Sequence, residues 1–123
     1  MDSDFLIPKD VESISSGWVF SVDKPMGWTS FDVVAKLRNT IKNRYGVRIK
    51  LGHAGTLDPN AEGILPIAIN KTTKLIPFVN ISSKKYLFKI KWGEQTSTDD
   101  SEGEVLNYSN KTPSEEEINQ IVN

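Results

Sequence analysis

The most regular pattern in the chain is helical. In TSFDVVAKLRNTIKNRYG, residues 29–46, the apolar side chains Phe31, Val34, Leu37 and Ile41 recur at helical spacing among polar neighbours. Thr29 and Asp32 form a capping-box pattern ahead of them. The helix is predicted to stop before Gly46, with Lys42 and Arg44 suiting the negative C-terminal end. Upstream, residues 18–22 of GWVFSVDKPMG read as a strand running into a Pro/Gly turn. Downstream, a short strand is expected over 47–51 and a short buried strand in ILPIAI, 64–69. KTTKLIPFV, 71–79, reads as one or two helical turns.

Strict alternation appears only later. In KKYLFKIKW, 84–92, Tyr86, Phe88, Ile90 and Trp92 share one face, and Lys85, Lys89 and Lys91 share the other with Leu87. This predicts a strand, with GEVLNYS, 103–109, as its hairpin partner. TPSEEEINQIVN opens a helix with Thr112 as cap, Pro113 at the first position and Glu115 closing a capping box. Ile118, Ile121 and Val122 then find nothing downstream to pack on. A well-started helix at the end of the chain points to an N-terminal piece of a longer protein. There are no repeats and no low-complexity linker.

Composition narrows the class. A length of 123 residues is one domain's worth, and 37% hydrophobic with 25% charged residues describes a globular chain rather than a disordered one. The absence of cysteine excludes disulfides and cysteine-ligated zinc, and it permits a reducing compartment. MDSDFLIPKD lacks the basic and apolar regions of a signal peptide, and no apolar run approaches the roughly 18 residues of a membrane span. The cytosol is the expected setting.

Charge changes the picture. The net is −1, but residues 33–91 hold twelve bases against two acids, Asp58 and Glu62. The flanking segments are acidic. A basic block around a nearly lone aspartate is a field that draws a polyanion toward it. A solvated lysine-rich surface is the plainer reading, and sign asymmetry alone does not identify a partner.

That aspartate lies in GHAGTLDPNAEGIL, 52–65, with three glycines and the chain's single histidine, His53. One His and one Asp do not make a coordination shell. The Gly-Lys-Ser/Thr of a phosphate-binding P-loop is missing. The acidic run STDDSEGEV also fails as a calcium loop, since Gly103 at its sixth position would put Thr98 first and Ser109 twelfth. Two readings of Asp58 remain. It is a turn residue in a Gly/Pro loop, or a preorganised carboxylate that acts as nucleophile or general base. In the second case the glycines let a bulky ligand approach the backbone. Tyr86 is likewise either a core residue or an aromatic plate on which a base stacks.

The segments DKPMGWTSFDVV (23–34), GHAGTLDPNAEGILPIAIN (52–70), TKLIPF (73–78), KKYLFKIKWGEQTSTDD (84–100) and EGEV (102–105) carry a specific likeness. In order and spacing, from about Gly17 to the last residue, the chain resembles the TruB-type pseudouridine synthases, which make pseudouridine 55 in the T-loop of tRNA. The guide-RNA-dependent dyskerin group shares the Gly-His-x-Gly-Thr-Leu-Asp-Pro signature and is the nearest competitor. A non-catalytic RNA-binding module is the alternative of a different class.

The resemblance implies an α/β fold of the α+β type, a mixed, largely antiparallel sheet with flanking helices, here incomplete. Residues 1–16 would be an N-terminal extension and 17–123 the first part of the catalytic domain. It implies that Asp58 is catalytic and that uracil is detached from its ribose, rotated and rejoined through carbon, without metal or organic cofactor. The buried target base has to be flipped out. His53 matches the residue that fills the space vacated by the base, Tyr86 the tyrosine that stacks on the uracil, and Asp100 an acid near the pocket. Lys24, Pro25, Gly55, Thr56, Leu57 and Pro59 match positions that support the loop. The partner is the tRNA T-arm, there is no membrane, and the full-length protein is expected to be monomeric. The chain departs from the family in having Thr96-Ser97-Thr98 where Thr-Asp-Thr is common. It also lacks the later arginine that pairs with the aspartate, further pocket wall and the C-terminal PUA domain.

Overall fold

The computed structural model describes residues 10–79 and 83–122. They fall into two compact units, divided along the chain between Ser83 and Lys84. The first runs α1 (Val11–Ser16), β1 (Trp18–Lys24), α2 (Ser30–Tyr45), β2 (Leu51–His53) and β3 (Gly63–Ile69), then a 3₁₀ helix (Asn70–Leu75) and α3 (Ile76–Val79). The second holds β4 (Glu94–Thr96), β5 (Val105–Tyr108) and α4 (Glu115–Val122).

In the first unit β3 is central, antiparallel to β1 on one side and to β2 on the other. Val22 of β1 and Leu65, Ile67 and Ile69 of β3 turn one face of the sheet inward. Val33, Val34, Leu37 and Ile41 of α2 and Ile14 of α1 cover that face. Burying each such side chain stabilises the fold by about 1.5–3 kcal/mol relative to exposure.

Helix α2 begins as its pattern predicts. The Thr29 hydroxyl accepts from the Asp32 amide, and the Asp32 carboxylate accepts from the Thr29 amide and hydroxyl. It ends at Gly46, whose φ of 68° is left-handed and whose N–H donates to the Lys42 carbonyl. One inward position differs from expectation. Phe31 is 67% exposed, and Val33 points inward instead. The buried stripe runs through Ser30, Val34, Leu37 and Ile41, and Phe31 sits one residue, about 100°, round the helix from Ser30.

The strand expected over 47–51 begins only at Leu51, although Val47 and Ile49 still pack against the core. Asn70 joins three segments: its amide N–H donates to the Lys50 carbonyl, its Oδ1 accepts from the Lys50 amide, and its Nδ2 donates to the Ile14 carbonyl. Helix α1 is thereby fastened to the sheet, with Asp10 as its cap, while residues 1–9 lie outside the described residues.

The second unit corrects three expectations. Residues 84–92 form no strand, because no neighbouring strand among the described residues bonds to them. Segment β5 pairs instead with β4, in register Glu94↔Tyr108, with an irregularity between Gln95 and Thr96. Helix α4 starts two residues later than its cap pattern proposed. The Ser114 hydroxyl accepts from the Glu117 amide, and the Glu117 carboxylate accepts from the Ser114 amide. Ser114 and Glu117 therefore form the capping box, and Pro113 stands just outside the helix, where its missing N–H leaves no bond unmade.

Candidate active site

The loop between β2 and β3 is built by its neighbours rather than by its own side chains. At its entrance the Ala54 amide donates to the Pro66 carbonyl (2.9 Å) and Gly55 takes a left-handed φ of 76°. At its crest the Ala61 amide donates to the Asp58 carbonyl (3.0 Å), closing a turn. Both residues flanking Asp58 are fixed from outside the loop.

On the N-terminal side, the Ser30 hydroxyl donates to the Leu57 carbonyl (3.1 Å) and accepts from the Leu57 amide (3.0 Å). On the C-terminal side, the Pro59 carbonyl accepts from the Gly27 amide at 2.8 Å. Lys24 completes the frame. Its side chain is fully buried, and Nζ donates to the carbonyls of Pro25 (3.0 Å), Trp28 (2.6 Å) and Pro59 (3.5 Å). An ammonium group has three protons and no acceptor, so three carbonyls satisfy it without a carboxylate.

Asp58 itself is exposed. Among the described residues its carboxylate accepts no hydrogen bond and pairs with no cation. A side chain left free on a backbone held from both sides has the arrangement expected of a reactive group, not of a residue whose carboxylate makes the turn. Elsewhere in this unit the carboxylates of Asp10 and Asp32 do bond neighbouring backbone, capping α1 and α2.

His53 ends β2 opposite Ile67, five residues before Asp58. Its Nδ1 is buried without a hydrogen-bond partner among the described residues. Of the two residues before the turn, Lys24 reaches the loop through the Pro59 carbonyl, and Pro25 offers its own carbonyl to the same ammonium group. Gly55, Leu57 and Pro59 shape or anchor the loop through the contacts above, whereas Thr56 is exposed. The basic block is also laid out: Lys36, Arg38, Lys42, Arg44, Arg48, Lys50, Lys71 and Lys74 are all exposed, and none forms an ion pair among the described residues. Arg44 lies 5.7 Å from the centre of the Tyr45 ring.

Two candidate residues belong to the second unit. Tyr86 is 70% exposed, so it is no core residue of that unit. Asp100 lies in the turn between β4 and β5, where its Oδ1 accepts from the Thr98 hydroxyl (2.6 Å) and the Glu102 amide (2.8 Å). These bonds, the Thr98 hydroxyl first, hold its carboxyl below the usual carboxylate range. Asp100 here organises its own loop.

Sequence reasoning passed over Ser30 and Gly27. Ser30 carried a signal, because it is a polar residue on the same stripe as Val34, Leu37 and Ile41. The Gly27 amide carried none.

Residues 42–123 match the TruB family pseudouridylate synthase N-terminal domain. The chain is 46% identical over 106 residues to the tRNA pseudouridine synthase B of Ehrlichia ruminantium (strain Gardel), covering 86% of this chain and 34% of the relative. It is 48% identical over 103 residues to that of Bartonella quintana (strain Toulouse), covering 84% of this chain and 36% of the relative. For Roseobacter denitrificans the identity is 46% over 107 residues, covering 87% and 33%. The chain spans about a third of the length of these curated relatives. With most of its length matched at this identity, the chain belongs to the TruB family of pseudouridylate synthases.

Proposed function

We propose that this chain is the first part of the catalytic domain of a tRNA pseudouridine synthase that isomerises uridine 55 of the T-loop, with Asp58 as the catalytic residue. One observation carries the reading: Leu57 and Pro59 are fixed by Ser30, Gly27 and Lys24 while the Asp58 carboxylate between them is left free. The relatives' name, tRNA pseudouridine synthase B, supports tRNA as the substrate.

In this reading the flipped uridine lies against Asp58. The N1–C1′ bond to ribose breaks with its electron pair left on N1, the uracil turns, the C5–C1′ bond forms, the C5 proton is released, and N1 takes up a proton, so that product and substrate are isomers. The carboxylate supports this as nucleophile or base. His53 occupies the gap left by the base, Tyr86 stacks on the uracil, and Asp100 borders the pocket. Lys24, Pro25, Gly55, Thr56, Leu57 and Pro59 keep the loop in place. The reaction needs neither metal nor organic cofactor. Residues 1–16 form an extension whose helix α1 packs Ile14 into the core, and 17–123 the first part of the domain; the rest of the domain and a PUA module complete a cytoplasmic, monomeric enzyme. No helix among the described residues is long and apolar enough to cross a membrane.

The 123 residues alone are expected to bind tRNA weakly with strong salt dependence and to form little pseudouridine. Phosphate neutralisation needs only the basic block, whereas catalysis needs a closed, desolvated pocket. The test is to map the product in a tRNA transcript treated with the complete reading frame. Pseudouridine at position 55, formed without added guide RNA, is the expected result. A guide requirement would assign the chain to the dyskerin type, and binding without any product would make it an RNA-binding module.

A further inference from the structure

Ser30 and Thr29 are adjacent hydroxyls at the start of one helix, and they do different work. Thr29 supplies the cap, bonded to Asp32. Ser30 is not needed for capping, and its hydroxyl turns the other way. It is 3% exposed, on the inward stripe of α2, and it reaches 27 residues along the chain to Leu57.

The geometry there is specific. One hydroxyl serves both polar groups of a single residue, donating to its C=O and accepting from its N–H. A residue's N–H and C=O converge on one side only when its backbone is extended, so the double contact fixes the conformation of Leu57. The next residue is Asp58. Its other neighbour, Pro59, is fixed independently through the Gly27 amide and Lys24. The direction in which the Asp58 carboxylate is presented therefore depends on two clamps, and Ser30 forms the N-terminal one.

We propose that Ser30 is a positioning residue for the pseudouridine-forming reaction, acting through Leu57 to aim Asp58 at the reacting nucleoside. The inference rests on the assignment of Asp58 under Proposed function. Substrate affinity comes largely from the basic surface, which Ser30 does not join, so its loss is felt in turnover rather than in binding. A misplacement of about 1 Å in a catalytic group is enough to cost on the order of 100-fold in rate.

The experiment uses the full reading frame and measures kcat and KM for tritium release from tRNA labelled at uracil C5. The variants are Ser30→Ala, Ser30→Thr and Asp58→Asn, with the melting temperature of each. Ser30→Ala is expected to lower kcat by roughly 10- to 100-fold with KM changed less than about threefold. Ser30→Thr, which keeps a hydroxyl, is expected to recover most of the rate at a similar melting temperature. An inactive Asp58→Asn with a fully active Ser30→Ala would overturn this inference alone. An active Asp58→Asn would overturn the underlying assignment. Equal loss in the Ala and Thr variants, in step with their melting temperatures, would reduce Ser30 to a packing residue.

Discussion

The two units are made from similar sequence patterns and end in different physical states. In the first, an amphipathic helix and three short strands converge on one interior, and Leu37, Ile41, Leu65, Ile67 and Ile69 are all fully buried. In the second, the alternating apolar side chains of 84–92 and the apolar positions of β5 and α4 other than the half-buried Ile118 stay in solvent; Leu106 is 59% exposed and Ile121 86%. A period defines a face, but burial needs a second face of matching shape, and one short hairpin with one helix does not provide it. The candidate catalytic loop belongs to the unit that has an interior. That is where a carboxylate can be held still.

Stability measurements give the largest contrast. Leu37→Ala should destabilise the chain by about 2–5 kcal/mol, because it opens a cavity under the sheet. Leu106→Ala should change stability by less than about 0.5 kcal/mol. Urea unfolding of both variants makes the comparison, and equal losses would break it.

Tyr86 sharpens the comparison from the other side. Its exposure leaves the ring available to a ligand, so in the full reading frame Tyr86→Ala should weaken handling of the flipped base by roughly 1–3 kcal/mol, while Tyr86→Phe keeps the stacking plate. Were the Ala variant only to melt earlier with catalysis intact, the ring would be a packing element after all.

The cap of α2 gives a smaller effect with a pH signature. Thr29→Ala should cost about 1 kcal/mol. The hydrogen bonds from the Thr29 hydroxyl and then its amide hold the Asp32 carboxyl below its ordinary value of 3.8. A depressed carboxyl binds fewer protons folded than unfolded, so its contribution is complete above that ordinary value and fades as pH falls through the folded one. The stability gap between wild type and Thr29→Ala should narrow below about pH 4 on this account. A gap unchanged down to pH 2 would remove Asp32 from the explanation.

The smallest expected effect concerns the basic surface. Lys42→Ala should leave stability within about 0.5 kcal/mol and lower the slope of log affinity for tRNA against log salt by about 1. An unchanged slope would place the phosphates elsewhere.

What the sequence disclosed follows the same division. Helix α2 was readable down to its cap and its terminal glycine, because capping, inward stripe and left-handed stop are local signals that the tertiary structure reinforced. Strand β3 was readable as a short apolar run for the same reason. Residues 84–92 were over-read, since alternation says nothing about whether a partner strand is present. The cap of α4 moved from Thr112 to Ser114 because two overlapping capping boxes fit the same letters, and only geometry selects one. At the candidate site, the motif pointed to Asp58 and the loop around it. The clamp on that loop was hidden, because it depends on a contact between Ser30 and Leu57 and on backbone groups of Gly27 and Pro59 that carry no side-chain signature.

The most direct test of the account is tritium release from tRNA labelled at uracil C5, comparing the full reading frame with its Asp58→Asn variant. The wild type should release tritium over many turnovers. The Asn variant should release none above background while binding tRNA with nearly unchanged affinity, because the basic surface is intact. Turnover by the Asn variant at more than a small fraction of the wild-type rate would contradict the assignment of Asp58 and, with it, the role given to the loop that holds it.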